Sequence, residues 1–345
     1  MSSERTKVVI MAAGKGTRMK SERAKVMHEV FFAPMLHHVL SALEPLALLP
    51  ETVVVTGHQA EVVEASLAEF PVLYARQAEQ LGTAHAVLAA RYFYEDFDGT
   101  VLIMCGDTPL LRSNTLREML GKHHSSAATL TVMTTSMIYP TNYGRIITGQ
   151  TGEIIRIVEE KDASAEEKLI GEINAGVYCV DSRFLREGLE MVEDSNRQQE
   201  FYLTDLVAIA RGRGLQIGGY FCPDSLEVLG VNSRLELAEA HQELQIRRNR
   251  QLMLEGVSII GQESVEIAPG VKIGRDTVIA RNVRISGIST VGDSCRIGPQ
   301  AVLHNCQVGE GACIEPGTFL LGCEVSAGAT ITAGTVYRDG LVQVD

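Results

Sequence analysis

The chain has 345 residues, 45% of them hydrophobic, and its 43 acidic against 31 basic side chains give a net charge of −12. That length predicts two domains, the acidic balance argues against a nucleic-acid or anionic-membrane partner, and no run of about 18 apolar residues is present to cross a bilayer. Seven cysteines with no CxxC pair give neither a zinc pattern nor a disulfide framework, and with no apolar signal region ahead of Lys7 the expected state is a reduced, cytoplasmic protein.

The first predicted element is a buried strand from Val8 to Ala13, which breaks at Gly14-Lys15-Gly16 before a segment carrying Arg18 and Lys25. Glycines there let the backbone approach an anion and take φ > 0, while successive N–H groups form an anion-binding concavity. Arg18 and Lys25 add full positive charge. The dinucleotide-binding pattern GxGxxG fails at Met19, and the Walker pattern fails because no Lys-Ser or Lys-Thr follows Gly16. Read alone, the loop is equally a tight strand-to-helix turn with solvated basic residues.

The string AAGKGTRM, followed by AKVMH and APM, closely resembles the signature of sugar-1-phosphate nucleotidyltransferases, most of all the uridylyltransferase half of the bifunctional bacterial N-acetylglucosamine-1-phosphate uridylyltransferases. The resemblance implies Mg²⁺-dependent uridylyl transfer from UTP to N-acetylglucosamine 1-phosphate. It makes Arg18 and Lys25 catalytic and sets Met11, Ala12, Ala13 and Gly14 against the nucleotide. Ala24 stands where that family usually has proline, so the backbone that aims Lys25 is expected to be less constrained.

Helical spacing follows from Met35 to Leu43, opened by Pro34, and a second apolar run, Thr52 to Thr56, ends at Gly57-His58. A helix from Gln59 to Glu69 and a strand near Val72 to Ala75 lead to QAEQLGTAHAV. Gln77 and Gln80 can offer paired donors and acceptors to a base edge, and Gly82-Thr83 opens a helix whose first N–H groups are free. Thr83 alone reads as an ordinary helix cap. The resemblance implies instead that Gln77, Gly82 and Thr83 bind the uracil.

A third buried strand, Thr100 to Cys105, delivers Gly106-Asp107 at its carboxyl end. Strands alternating with helices predict an α/β, Rossmann-like domain whose mostly parallel sheet opens its ligand crevice beyond those ends. An acidic side chain beside two basic ones at a phosphate site fits a magnesium ligand better than a helix cap. By resemblance Asp107 is that ligand and Gly106 a sugar contact, with Cys105 in the place of the family's usual tyrosine.

Shorter, strand-like segments begin at Ala127. The resemblance assigns Gly144, Glu159, Asn174, Tyr202 and Thr204 to the sugar pocket, and Asn232 to the second metal position. By itself Asn232 reads as the N-cap of a helix from Ser233 to about Leu254.

From Ile267 aliphatic residues recur every six positions, through Ile273, Ile279, Ile285, Val291, Ile297 and Leu303, then slip by one to Val308, Ile314 and Leu320 and again to Val325 and Ile331. That period predicts a short parallel β-helix, left-handed and trimeric by class. The domains expected are therefore 1–231, a linking helix at 232–256, and the hexapeptide domain at 257–345. IEPGTFLLG stands where the bifunctional family carries an acetyl-transfer arginine, and His304 is the only histidine from 257 onward, so acetyltransferase activity is not expected. Two alternatives stay open: another sugar 1-phosphate or dTTP as substrate, and a non-catalytic trimeric scaffold that senses nucleotide sugar.

Overall fold

The computed structural model describes residues 5–342. These form two compact units, one comprising the residues up to Glu29 and Ala33–Leu237, the other Val30–Phe32 and the residues from Ala238 on.

The first unit is built on a nine-stranded sheet: β1 (Thr6–Met11), β2 (Thr52–Thr56), β3 (Leu73–Arg76), β4 (Thr100–Cys105), β5 (Leu130–Ser136), β6 (Arg145–Thr148), β7 (Ile154–Val158), β8 (Glu172–Asp181) and β9 (Ile217–Phe221). Along the main path the order is β9-β5-β8-β4-β1-β2-β3. In that path only β8 runs against its neighbours; β6 pairs antiparallel with β8 and β7.

Alternation within β1 explains why the sheet is buried twice. Val8 and Ile10 face one core cluster and Val9 the other, and Val54 is likewise separated from Val53 and Val55. A strand wet on neither face needs an uninterrupted apolar run, which is what these segments carry. From β1 the chain steps outward to β2 and β3, then returns to place β4 on β1's other side. The switch point lies where Met11 pairs with Cys105. Loops leaving two adjacent parallel strands in opposite directions open a crevice at their carboxyl ends.

Helices α1 (Met35–Leu43), α2 (Ala60–Ser66), α3 (Thr83–Ala89), α4 (Arg91–Tyr94), α5 (Ser113–Ser126), α6 (Ser182–Leu189) and α7 (Asp205–Gly212) complete this unit. Among the described residues no helix is long and apolar enough to cross a membrane.

The second unit contains most of α8 (Arg234–Leu254) and the stacked coils of a parallel β-helix. The six-residue rhythm becomes three aliphatic ladders: Ile267, Ile285, Leu303 and Leu320; Ile273, Val291 and Val308, with Val325; and Ile279, Ile297, Ile314 and Ile331. Both slips fall on one corner, between the first ladder and the second, where Asn305 (φ 54°) and Gly322 (φ 62°) turn the chain with one residue fewer. Cys295, Cys306 and Cys323 fill the interior, as small apolar residues do. All seven cysteines are free thiols.

At one end of the stack α8 supplies what a solenoid needs, a covered terminal coil. Leu252 joins the coil core, and Asn249 Nδ2 donates to the carbonyls of Gln262 (2.7 Å) and Val265 (2.8 Å).

Candidate active site

The switch point is closed by backbone bonds before any side chain is considered. Gly106 N–H donates to Met11 O (2.9 Å), Ala12 N–H to Val55 O (2.9 Å), and Gln77 N–H to Thr56 O (2.8 Å), so the loops after β1, β2, β3 and β4 meet at one rim. Above it lies a cleft of about 430 Å³ lined by the loop from Met11 to Arg18 together with Lys25, Gln77, Gly82, Thr83, Cys105, Asp107 and Asn232.

The two loop glycines do different things. Gly16 adopts φ 64°, a left-handed conformation, and a Cβ there would lie 2.6 Å from Lys25 Cβ. It is the residue over which the Lys25 stem passes. A Cβ on Gly14 would meet nothing within 4 Å, which leaves its backbone open to the cleft.

Asp107 is tied to the lead-in of α8 by Val231 N–H, which donates to Asp107 O (2.9 Å). Lys25 Nζ donates to Asp107 Oδ2 and also to Asn232 Oδ1 (3.0 Å), so three side chains from distant segments converge on one point. Asn232 does not cap the helix that follows. Ser233 does, its hydroxyl accepting from Glu236 N–H (3.3 Å), while Glu236 Oε2 accepts from Asn232 N–H (2.8 Å). This displaced capping box holds Asn232 one residue ahead of the cap and leaves its side chain to the cleft.

On the opposite wall, Gln77 is buried with Nε2 donating to Gly82 O (3.1 Å), and Gln80 Nε2 donates to Gln77 O (3.2 Å). Both amide nitrogens therefore hold the loop. Gln77 Nε2 also lies 3.1 Å from His85 Nδ1, so Gln77 presents its Oε1, while Gln80 keeps a second N–H and its Oε1 for a ligand. Thr83 is not a cap either: Gly82 is the N-cap of α3, and Thr83 Oγ1 accepts from Leu203 N–H (2.9 Å).

The five residues from Gly144 onward that the resemblance assigned to sugar lie beside this cleft rather than in its lining, linked around Glu159. Thr204 Oγ1 donates to Glu159 Oε1 (3.2 Å), Asn174 N–H to Gly144 O (2.9 Å), and Tyr202 OH to Asp162 Oδ2 (3.2 Å). Burial pushes the half-buried Glu159 carboxyl up, opposed by the Thr204 hydrogen bond and reinforced by Asp162, Asp205 and Glu200. Asn174 is heavily engaged, with Nδ2 on Tyr178 OH (2.6 Å) and Oδ1 accepting from Gly176 N–H (3.0 Å). Gly106 is buried at the rim. Cys105 joins cleft to cluster, its Sγ 3.6 Å from Gly176 O, and burial followed by the Asp107 charge pushes the thiol up to about 12. It is a neutral wall.

One brace escaped sequence reading. Gly57-His58-Gln59, the loop after β2, grips the glycine-rich loop at both ends. His58 N–H donates to Ala13 O (3.3 Å), His58 Nε2 lies 3.1 Å from Glu22 O, and Gln59 Oε1 accepts from Ala24 N–H (2.9 Å). Ala24 sits at φ −51°, within proline's range. The backbone before Lys25 is thus held by a hydrogen bond, correcting the expectation that alanine leaves it less constrained. Only a polar Gln at a loop end hinted at this.

A mostly parallel sheet that opens a glycine-rich, lysine- and aspartate-bearing cleft at its switch point is the architecture of a nucleotidyltransferase. The nucleotidyl transferase family model matches residues 7–215, and the chain belongs to that family; the bacterial transferase hexapeptide model matches 288–322. Among curated proteins the chain is 47% identical over 301 residues to the bifunctional protein GlmU of Desulfotalea psychrophila, covering 87% of this chain and 88% of that one. It is 44% identical over 308 residues to GlmU of Syntrophotalea carbinolica, covering 89% of this chain but 66% of that protein. In fold it matches a putative glucose-1-phosphate thymidylyltransferase from Bacillus anthracis, with a TM-score of 0.56 at 20% identity over 69% of this chain and 94% of that chain. The resemblance to the GlmU-type proteins, the mostly parallel nucleotidyltransferase fold and the enzyme class are borne out.

The brace makes a prediction in kinetics. Gln59→Ala is expected to lower kcat roughly three- to tenfold by loosening the aim of Lys25, and Gln59→Glu, which keeps the acceptor, to restore most of it. In an Ala24→Pro background, where the ring fixes φ, Gln59→Ala should change kcat little.

Proposed function

We propose that the protein transfers the uridylyl group of UTP to N-acetylglucosamine 1-phosphate, releasing pyrophosphate, with Mg²⁺ held by Asp107 and Asn232. The observation that carries this reading is the convergence of Asp107 Oδ2 and Asn232 Oδ1 on one point at the floor of the anion-binding loop. One carboxylate and one amide oxygen, with substrate phosphates completing the shell, suit a small hard cation. Mg²⁺ held there would neutralise charge on the substrate phosphates.

The chain's own residues supply position and charge. Lys25 comes off a short 3₁₀ turn braced at Ala24, and exposed Arg18 lies along the cleft, so the two cations flank the space where the triphosphate lies against the backbone of Met11 to Gly14. Excess negative charge on the transferring phosphorus oxygens is stabilised there. Gln77 and Thr83, beside the strict turn at Gly82, line the wall that takes the base. Glu159, Asn174, Tyr202 and Thr204 would receive the sugar hydroxyls and N-acetyl group, with Gly106 and Gly144 giving clearance. Cys105 is neutral, and no covalent nucleophile is used. The charge balance and free thiols support a cytoplasmic location.

The test is pyrophosphate release by purified protein with Mg²⁺ across a panel of nucleoside triphosphates and sugar 1-phosphates. Release confined to UTP and N-acetylglucosamine 1-phosphate supports the reading, and another preferred pair, such as glucose 1-phosphate with dTTP, would replace the specificity. Acetyl-CoA with glucosamine 1-phosphate belongs in the same panel. His304 pairs only with Ser286 Oγ (2.9 Å) and Asn305 Nδ2 (3.2 Å) among the described residues, so no acetylation by this polypeptide is expected.

The short coil stack, whose open ends need covering, supports a homotrimer as the assembly. Light scattering of the purified chain should give three times the 37.5 kDa monomer mass, and a monomer at working concentration would remove this part of the reading.

A further inference from the structure

Lys25 does two jobs that its position does not permit at once. Its ammonium sits on Asp107 Oδ2 and Asn232 Oδ1, the two oxygens to which the proposed function assigns a divalent cation. An ammonium and a hard cation compete for the same lone pairs. The proposed chemistry also needs the Lys25 charge on the phosphates.

We propose that Lys25 is a built-in substitute for the metal: it holds the Asp107–Asn232 position in the resting enzyme and is displaced onto the phosphates when a metal–triphosphate complex enters. The inference rests on the reading of Asp107 and Asn232 as metal ligands. Three observations support it. The Lys25 and Asp107 side chains are only 16% and 14% exposed, so the carboxylate has little water to fall back on and the ammonium is its counter-ion. The Lys25 stem rests on the bare Cα of Gly16 while its flexible four-carbon arm borders the open cleft, the space its ammonium would move into. Its backbone is pinned by the Gln59 bond to Ala24, so the exchange is confined to the side chain. Metal alone must then evict a paired cation, whereas metal on a triphosphate brings Lys25 a new anion. Loading is ordered: the metal arrives with the nucleotide.

The test reads metal binding without turnover, by titrating the full chain with Mn²⁺ and following free ion by electron paramagnetic resonance. Measured against a UTP-only titration that accounts for the Mn²⁺ the free triphosphate chelates, wild type should bind Mn²⁺ weakly alone and at least tenfold more tightly with UTP present. Lys25→Met keeps the stem but removes the charge, and should bind Mn²⁺ alone at least about tenfold more tightly than wild type. Lys25→Gln serves as the second variant. Adding Asp107→Asn to either should abolish the gain. If both Lys25 variants bind Mn²⁺ no better than wild type while wild type still binds it with UTP, the substitution idea is wrong and the metal assignment stands. If the gain survives Asp107→Asn the metal sits elsewhere, and if wild type binds no Mn²⁺ even with UTP the metal assignment falls and takes the inference with it.

Discussion

Asp107→Ala is expected to reduce kcat/KM for pyrophosphate release by at least ~10³-fold, about 4 kcal/mol of transition-state stabilisation, with the fold retained. The side chain lies at the cleft floor and makes its contact with Lys25 rather than with a core, so its loss removes function before stability. Its backbone carbonyl keeps the bond from Val231, which preserves the placement of Asn232. Asn232→Ala should cost less, on the order of tenfold to a hundredfold, because a neutral amide contributes less to a cation than a carboxylate does. Steady-state assays of both variants decide the matter. An Asp107→Ala enzyme within tenfold of wild type would remove Asp107 from the metal-binding and catalytic machinery.

Gly82→Ala should be the most damaging single change that adds only a methyl group. Gly82 is held at φ 123°, where an L side chain is strained, and its Cβ would stand 2.4 Å from Phe201 O and 2.6 Å from Phe201 N. Those atoms cannot retreat. Phe201 N–H donates to Leu81 O (2.8 Å) and Phe201 O accepts from Ala84 N–H (2.9 Å), a reciprocal clasp between the base-side loop and the segment leading to Thr204. Backbone strain of this kind costs roughly 1–3 kcal/mol and a clash against fixed backbone adds to it. A loss of about 4 kcal/mol would lower the first thermal unfolding transition by about 10 °C, and KM for UTP should rise because Thr83 and Gln77 move with the loop. A melting curve unchanged within 2 °C would mean that the clasp gives way freely.

Much of the sheet was legible because its strands are buried on both sides. The run Thr52–Thr56 is a strand over the residues expected, and Thr100–Cys105 likewise. The β-helix was legible for a related reason: each of its faces repeats one inward aliphatic position, so periodicity alone carries the architecture. The site was legible where one short stretch contains both loop and charge, as from Gly14 to Lys25. It was not legible where two loops met. That Gln59 holds Ala24, 35 positions away, or that Thr83 serves Leu203 rather than its own helix, depends on contacts that no local pattern encodes. Asn232 shows the limit of capping rules, since an adjacent Ser233 with Glu236 three residues on outcompetes it. The cluster around Glu159 was reachable only through family resemblance, because its members come from four separate segments.

The ladder spacing in the second unit fixes how that unit can change length. Ile267 lies on Ile285 and Ile285 on Leu303, eighteen residues apart each time, and Leu303 lies on Leu320 seventeen residues on. Each coil touches only the coils above and below it, so stability grows by near-identical increments. Removing six residues would keep the inward aliphatics inward yet rotate everything downstream by a third of a turn, whereas removing eighteen would keep every face in phase. Length in such a stack is counted in whole coils, which makes it a ruler whose graduations can be added or taken away without disturbing the rest.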